Sequence, residues 1–217
     1  MRVGQKISLR YLLRAAAVKS ANDAATAIGE AISGSEAAFA RRMNRTAKSL
    51  GMTRTTFKNA HGLTEEGHLS TARDMTILGR HLMYNFPGYY PMFKRKTTVA
   101  TKTVRNTNRK FLAAYKGADG IKTGYTRKAG FNLVASAERN GKRVIATVFG
   151  GKSTRTRNIQ VAKLLDLGFE RTLKNVELIP PMRMLQETPK DQPDNIILVK
   201  SLRPKIRTHS ESNNVLL

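Results

Sequence analysis

An α/β fold is what this sequence predicts: an antiparallel sheet with a mainly helical region packed beside it. Three observations carry the prediction. Apolar residues recur at helical spacing through the N-terminal stretch before Thr53. β-Branched runs gather between Arg95 and Phe149, and two apolar arms flank Asn140-Gly141, the strongest short hairpin signal. A last helical pattern, about Thr154 to Thr172, follows that hairpin.

The elements can be justified in order. Ser8 stands as the N-cap of a helix from Leu9 to Val18, in which Leu9, Leu12, Leu13 and Ala16 recur at helical spacing. Ser20 then falls in a short turn, and Asn22 or Asp23 opens a helix from Ala24 to Ile32. Gly34-Ser35-Glu36 is a break. Ser35 caps a third helix to about Leu50, with Phe39, Met43 and Leu50 on one face and Gly51 closing it. The stretch through Phe57, His61 and Gly67 reads as loop. Ser70 or Thr71 begins another helix, with Met75, Leu78 and Leu82 inward, and Pro87 ends the region. Thr97, Thr98, Val99, Thr101, Thr103 and Val104 predict one or two short exposed strands. Gly120 to Thr126 is a further strand. Phe131 to Glu138 and Lys142 to Phe149 form the hairpin. The final helix presents Ile159, Ala162, Leu165 and Leu167 or Phe169 to the core. Prolines at 180, 181, 189, 193 and 204 make 175–217 an extended tail, with Ile196-Ile-Leu-Val199 its one strand-like run. The chain therefore divides into a domain over 1–174 and that tail.

Composition narrows the function. The 217 residues, 40% hydrophobic, suffice for one sizeable core with a tail. Cysteine is absent, so neither a disulfide framework nor a cysteine metal site can form. No apolar run approaches the roughly 20 residues of a spanning helix. The first residues carry no apolar core of a secretory leader. His61, His68, His81 and His209 lack metal-ligand spacing, and the methionines fall at core positions or in loops, so no metal or organic cofactor is expected. The net charge of +24 favours polyanions through steering and counter-ion release. Nucleic acid and anionic envelope polymers both match it. Aromatics are only 6%, and no nucleic-acid-binding pattern is visible. The basic residues are spread along the chain, and a solubilising surface is the simplest reading.

Two short motifs carry chemistry: Ser20-Ala-Asn22 and Lys122-Thr-Gly124. The second lies in Gly117-Ala-Asp-Gly-Ile-Lys-Thr-Gly-Tyr-Thr-Arg-Lys-Ala-Gly-Phe-Asn-Leu-Val-Ala-Ser-Ala137. Ser20-Ala-Asn-Asp-Ala-Ala25, His61-Gly-Leu63 and Ser70-Thr-Ala-Arg-Asp-Met75 accompany them. Together these segments resemble the D-alanyl-D-alanine carboxypeptidases. Those are low-molecular-mass penicillin-binding proteins of the serine β-lactamase-like superfamily, which pair Ser-x-Asn and Lys-Thr-Gly with a Ser-x-x-Lys nucleophile. The resemblance runs from about Met1 to Gly168. The plainer alternative is that Ser20 and Asn22 only cap a helix and Lys122 is a solvated strand charge.

The resemblance implies a penicillin-binding transpeptidase-like domain and a serine acyl-transfer reaction on peptidoglycan stem peptides. It implies β-lactams as inhibitors of the complete protein and an extracytoplasmic place of work. Ser20 would relay a proton and Asn22 would hold the nucleophile's lysine or the substrate amide. Lys122 and Thr123 would bind the substrate carboxylate, and Gly124 would let the peptide lie against the strand. No serine in this chain is followed three residues later by lysine. The resemblance thus implies a domain incomplete at its N-terminus, without two strands and the helix that bears the nucleophile, and a chain inactive as it stands. A rival class is a non-catalytic basic protein that binds an anionic envelope polymer or nucleic acid. It accounts for the charge but not for the context of Lys122-Thr-Gly124.

Overall fold

The computed structural model describes residues 1–2, 4–172 and 179–182. The strand expected at Ile196–Val199 and nearly all of the 175–217 tail lie outside these residues. The first helix, α1 (Leu9–Arg14), runs into a π-helical turn, Ala15–Lys19. Ser8 occupies the N-cap position without a side-chain capping bond. The next helix, α2 (Asn22–Ser33), ends at Gly34, which takes the left-handed conformation with φ 78°. Ser35 then caps α3 (Glu36–Ser49), its hydroxyl accepting from the Ala38 N–H at 3.2 Å. Thr71 caps α4 (Ala72–Asn85) in the same way, through the Asp74 N–H at 3.1 Å.

The loop between α3 and α4 is pinned rather than free. Asn44 brackets Phe57, accepting from its N–H at 2.7 Å and donating to its carbonyl at 2.8 Å. Thr56 and Leu69 form an isolated β-bridge. The buried Asp74 carboxylate accepts from the Arg54 N–H at 2.8 Å and from the Thr55 hydroxyl at 2.6 Å. The Thr55 hydroxyl is the largest influence holding this carboxyl below its usual pKa, against the opposing effect of burial. A depressed carboxylate contributes stability above its unfolded pKa of about 4, and that contribution is lost as pH falls through the folded value. Asp74→Ala orphans the partly buried Arg54 N–H and Thr55 hydroxyl and is expected to cost about 1–3 kcal/mol. Urea melts at pH 7 and pH 3 check this, since the gap between the two proteins must shrink at the lower pH.

The strands β1 (Thr97–Val99) and β2 (Thr103–Arg105) form a small antiparallel ribbon. A short helix, α5 (Arg109–Ala114), follows and buries Phe111 and Leu112. Six residues are too few to show a helical period, so this element was not legible in the sequence. The main sheet holds β3 (Ala118–Thr126), β4 (Gly130–Arg139) and β5 (Lys142–Gly151) in the order β3-β4-β5, all antiparallel. Asn140 and Gly141 turn the hairpin with φ 51° and 73°, the two positive values that a tight turn of this hand requires. The last helix is α6 (Thr154–Arg171), opened by a capping box between Ser153 and Thr156.

Strand alternation divides the core into two layers. Leu133, Ala135, Ala137 and Ala146 face α6, where Val161 and Leu165 complete the cluster. Val134 and Ile121 face the other way, toward Met83, Tyr90 and Phe93, with Ile145 and Met75 beside them. A third cluster joins Ala47, Leu50 and Met52 to the outer side of α4. The inward face of α6 differs from the expected one. Ile159 is 47% exposed and Leu167 is also exposed, whereas Val161 is fully buried. The inward row is Arg157, Val161 and Leu165, at i, i+4 and i+8, which leaves Ile159 about 200° away round the helix. Ala162 and Phe169 pack partly against that row, as expected. The buried Arg157 guanidinium reaches the Asn132 carbonyl at 3.2 Å and the Asn158 side chain.

Candidate active site

The π-helical turn sets the first half of the site. Its wider winding lets the Ala21 N–H reach back to the Ala15 carbonyl at 3.1 Å. The turn delivers Ser20 in the left-handed region, with φ 61° and ψ 43°. A serine there is uncommon, and such backbone positions gather at functional sites. Ser20 caps nothing: the N-cap of α2 is Ala21, and no side chain caps that helix. Asn22 is the first residue of α2, exposed, and its side chain makes no hydrogen bond to a described residue.

The second half comes from β3. Lys122 is half-buried, and its Nζ donates to the Ser20 hydroxyl and, at 2.7 Å, to the Thr123 carbonyl. The two sequence motifs therefore meet in space. No carboxylate of a described residue lies within ion-pair distance of Lys122. Burial without a counter-ion pushes its pKa down to about 8. Lys122 is thus a cation with no anionic partner of its own. Gly124 lies on the exposed part of β3, and a Cβ there would meet nothing closer than Asn132, at 3.8 Å. Packing within the described residues does not demand a glycine at this position. Gly120 on the same strand is different, because a Cβ there would come within 2.8 Å of the Tyr90 hydroxyl.

A polar knot that the sequence reading missed holds the two halves together. The Thr123 hydroxyl donates to the Thr107 hydroxyl at 2.7 Å, and the Thr107 N–H donates to the Val18 carbonyl at 3.1 Å. Thr107 thereby bonds to both the Ser20 turn and the Lys122 strand. Its neighbours are buried. Asn106 donates to the Phe93 and Arg95 carbonyls at 3.2 and 2.8 Å, and Asn108 donates to the Gly120 carbonyl at 3.3 Å. Asparagines bracketing a threonine look like turn composition in a sequence. Only burial shows that they brace the site.

Ser20, Lys122, Thr123 and Gly124 are thus brought together, with Asn22 one turn residue beyond Ser20. The histidines are not part of it. His61 lies 3.4 Å from Glu36, His68 accepts from the Lys58 N–H, and His81 contacts Asn85. His209 lies outside the described residues. A cleft of about 720 Å³ opens near the other end of β3, beside Tyr90, Asp119 and Arg143. Arg143 there pairs with Asp119 at 2.7 Å and with Glu138, and the cleft contains none of the motif residues.

Comparison with known proteins gives the family. The family model described as D-alanyl-D-alanine carboxypeptidase matches residues 1–153. The D-alanyl-D-alanine carboxypeptidase DacF of Bacillus subtilis is 43% identical over 173 residues, covering 77% of this chain and 44% of that protein. The chain thus spans less than half the length of this curated relative. Among solved structures, D-alanyl-D-alanine carboxypeptidase DacD from Francisella tularensis superposes with a TM-score of 0.73 at 32% identity, over 78% of this chain and 54% of that one. Penicillin-binding protein D2 from Listeria monocytogenes, in its ampicillin-bound form, gives 0.70 at 36% identity, over 75% and 68%. The helices, the antiparallel sheet and the family match lead to one statement: the chain belongs to the D-alanyl-D-alanine carboxypeptidase family.

Proposed function

We propose that this site holds the C-terminal end of a peptidoglycan stem peptide for serine-type D-Ala-D-Ala carboxypeptidase chemistry, at an extracytoplasmic place of work. In that reaction a serine oxygen attacks the carbonyl carbon of the penultimate D-alanine. The terminal D-alanine leaves with a proton, and water then resolves the acyl-enzyme. Lys122 supplies the cation for the terminal carboxylate, and the Thr123 hydroxyl turns its hydrogen from Thr107 to that carboxylate. Gly124 leaves room for the peptide to lie along β3. Ser20, in contact with Lys122, passes the proton to the leaving amine, and Asn22 orients the peptide amide or the nucleophile's lysine. No step needs a metal or an organic cofactor. Residues 1–174 form the penicillin-binding domain without the Ser-x-x-Lys segment, with 175–217 a tail. The chain by itself supplies the substrate-holding half of the site and turns over no substrate. β-Lactams, which mimic the D-Ala-D-Ala end, are inhibitors of the nucleophile-bearing protein only.

The observation that carries this reading is the meeting of Ser20 with an unpaired Lys122 on an open strand. The test is an NMR titration of the chain with an N-acylated peptide ending in D-Ala-D-Ala. A charge-assisted hydrogen bond is worth roughly 1.5–3 kcal/mol, so Lys122→Ala should weaken binding roughly ten- to a hundredfold. The same substitution in the nucleophile-bearing protein should lower kcat/KM comparably. Only the ammonium attracts the carboxylate, so affinity should fall as pH rises past about 8. Equal affinity of the two proteins, or a flat pH profile, would remove the carboxylate role.

A further inference from the structure

Charge that is dispersed along the sequence is concentrated by the fold. Residues 1–22 and 75–118 contain no Asp or Glu. The tertiary structure packs these two acid-free stretches against each other. The Thr107 N–H meets the Val18 carbonyl, and the Arg14 guanidinium donates to the Val99 carbonyl at 3.2 Å. In the β1–β2 ribbon, Thr97 pairs with Arg105 and Val99 with Thr103. These four side chains share one exposed face, while Thr98 turns inward. Lys96 and Lys102 flank the ribbon, and Arg10 precedes Arg14 by one helical turn. Arg10, Lys96, Lys102 and Arg105 are all exposed, and none takes part in an ion pair among the described residues. The nearest sequence acids on either side are already engaged. Asp23 holds the N-terminal ammonium at 2.9 Å, Asp74 is buried, and Asp119 pairs with Arg143.

We propose that this face, beside the Ser20–Lys122 site, docks a flexible phosphodiester polymer of the cell envelope, a chain of polyol phosphates. The proposal rests on the reading that the protein works at peptidoglycan. Charge complementarity selects the polymer: cations on two acid-free stretches, none in an ion pair among the described residues, displace the counter-ions that a polyphosphate carries. Nucleic acid is the poorer occupant. Binding of single strands relies on open aromatic platforms for the bases. On this face the exposed aromatic beside Arg10 and Arg14 is Tyr11, and the Arg14 guanidinium already lies over its ring, 5.9 Å from the centroid. Docking here would keep the protein on the wall polymer while Gly124 stays open to the peptide.

The test compares two variants that lose the same charge. One carries Arg10→Gln, Lys96→Gln, Lys102→Gln and Arg105→Gln. The other carries Arg41→Gln, Arg42→Gln, Arg45→Gln and Lys48→Gln on the exposed side of α3. Affinity for poly(glycerol phosphate) is read by fluorescence anisotropy from about 50 to 200 mM salt. The face variant should bind at least about tenfold more weakly, with a log–log salt slope shallower by about 2–3, near 0.7 for each lost contact. The α3 variant should change far less. Equal losses in both, or none in either, overturn the proposal. Tighter binding of a single-stranded DNA of equal charge, lost in the face variant, assigns the face to nucleic acid and overturns it too. If the fourfold variant melts early, Lys102→Gln and Arg10→Gln are measured singly, and slopes unchanged from wild type are decisive against it. Both sets leave Ser20, Lys122 and the peptide titration untouched, so failure here is separable from failure of the carboxypeptidase reading.

Discussion

Incubated with labelled penicillin at pH 7, this chain is expected to form no covalent adduct and to release no D-alanine from a D-Ala-D-Ala peptide. The expected effect is complete, because it concerns the presence of a nucleophile rather than its tuning. No serine has a lysine one helical turn on. Ser20 is the hydroxyl that needs argument, because the fold gives it a lysine that the sequence does not. Lys122 reaches it from β3. With a pKa of about 8, that lysine is about nine-tenths protonated at pH 7 and is the donor in the contact. An ammonium that donates to a hydroxyl cannot take that hydroxyl's proton. Ser20 therefore stays a weak nucleophile. Intact-mass spectrometry after incubation settles the matter. A stoichiometric adduct that maps to Ser20, or to any other serine, would sink the idea. At pH 9, where Lys122 is largely neutral, the experiment also reports whether the fold holds a latent serine–lysine pair.

Association that grows with salt is the second large effect expected. Among the described residues β5 is paired only with β4, so its outer edge presents unpaired N–H and C=O groups. The run Val144-Ile-Ala-Thr-Val-Phe149 along it is apolar and β-branched, the kind of edge that recruits another strand. Charged side chains normally guard such an edge. Here Lys142 is directed to the Thr172 carbonyl at 3.2 Å, and Arg143 is neutralised by Asp119 and Glu138. Phe149 is exposed at the unguarded end. What opposes pairing is the net charge of +24, and salt screens it, with a Debye length of about 10 Å at 0.1 M. Light scattering should show a monomer at low salt and growing assemblies at high salt. Phe149→Lys should move the onset to higher salt. A chain that stays monomeric throughout and melts cooperatively would show that this edge is not a template.

The hairpin, the longer helices and the two motifs could be read from the chain alone, because each rests on local chemistry, whereas the short helix α5 could not. Ser35 and Thr71 cap helices wherever the chain puts them, and Asn140-Gly141 supplies the two positive φ values of a tight turn without help from the rest of the fold. The motifs at Ser20 and Lys122 were legible because the proposed chemistry calls for those residue types. Other features were decided by distance in space. The inward face of α6 depended on how the helix lies across the sheet, so Val161 replaced Ile159 in the core. The brace made by Asn106, Thr107 and Asn108 exists only because residues 18, 93, 107, 120 and 123 converge. The proton affinity of Lys122 follows from burial without a counter-ion, which no spacing in the chain encodes. The basic face arises because two acid-free stretches, more than fifty residues apart, become neighbours. Side-chain chemistry is local and can be read from the chain. Dielectric, burial and charge density are sums over neighbours, and only the tertiary structure supplies those neighbours.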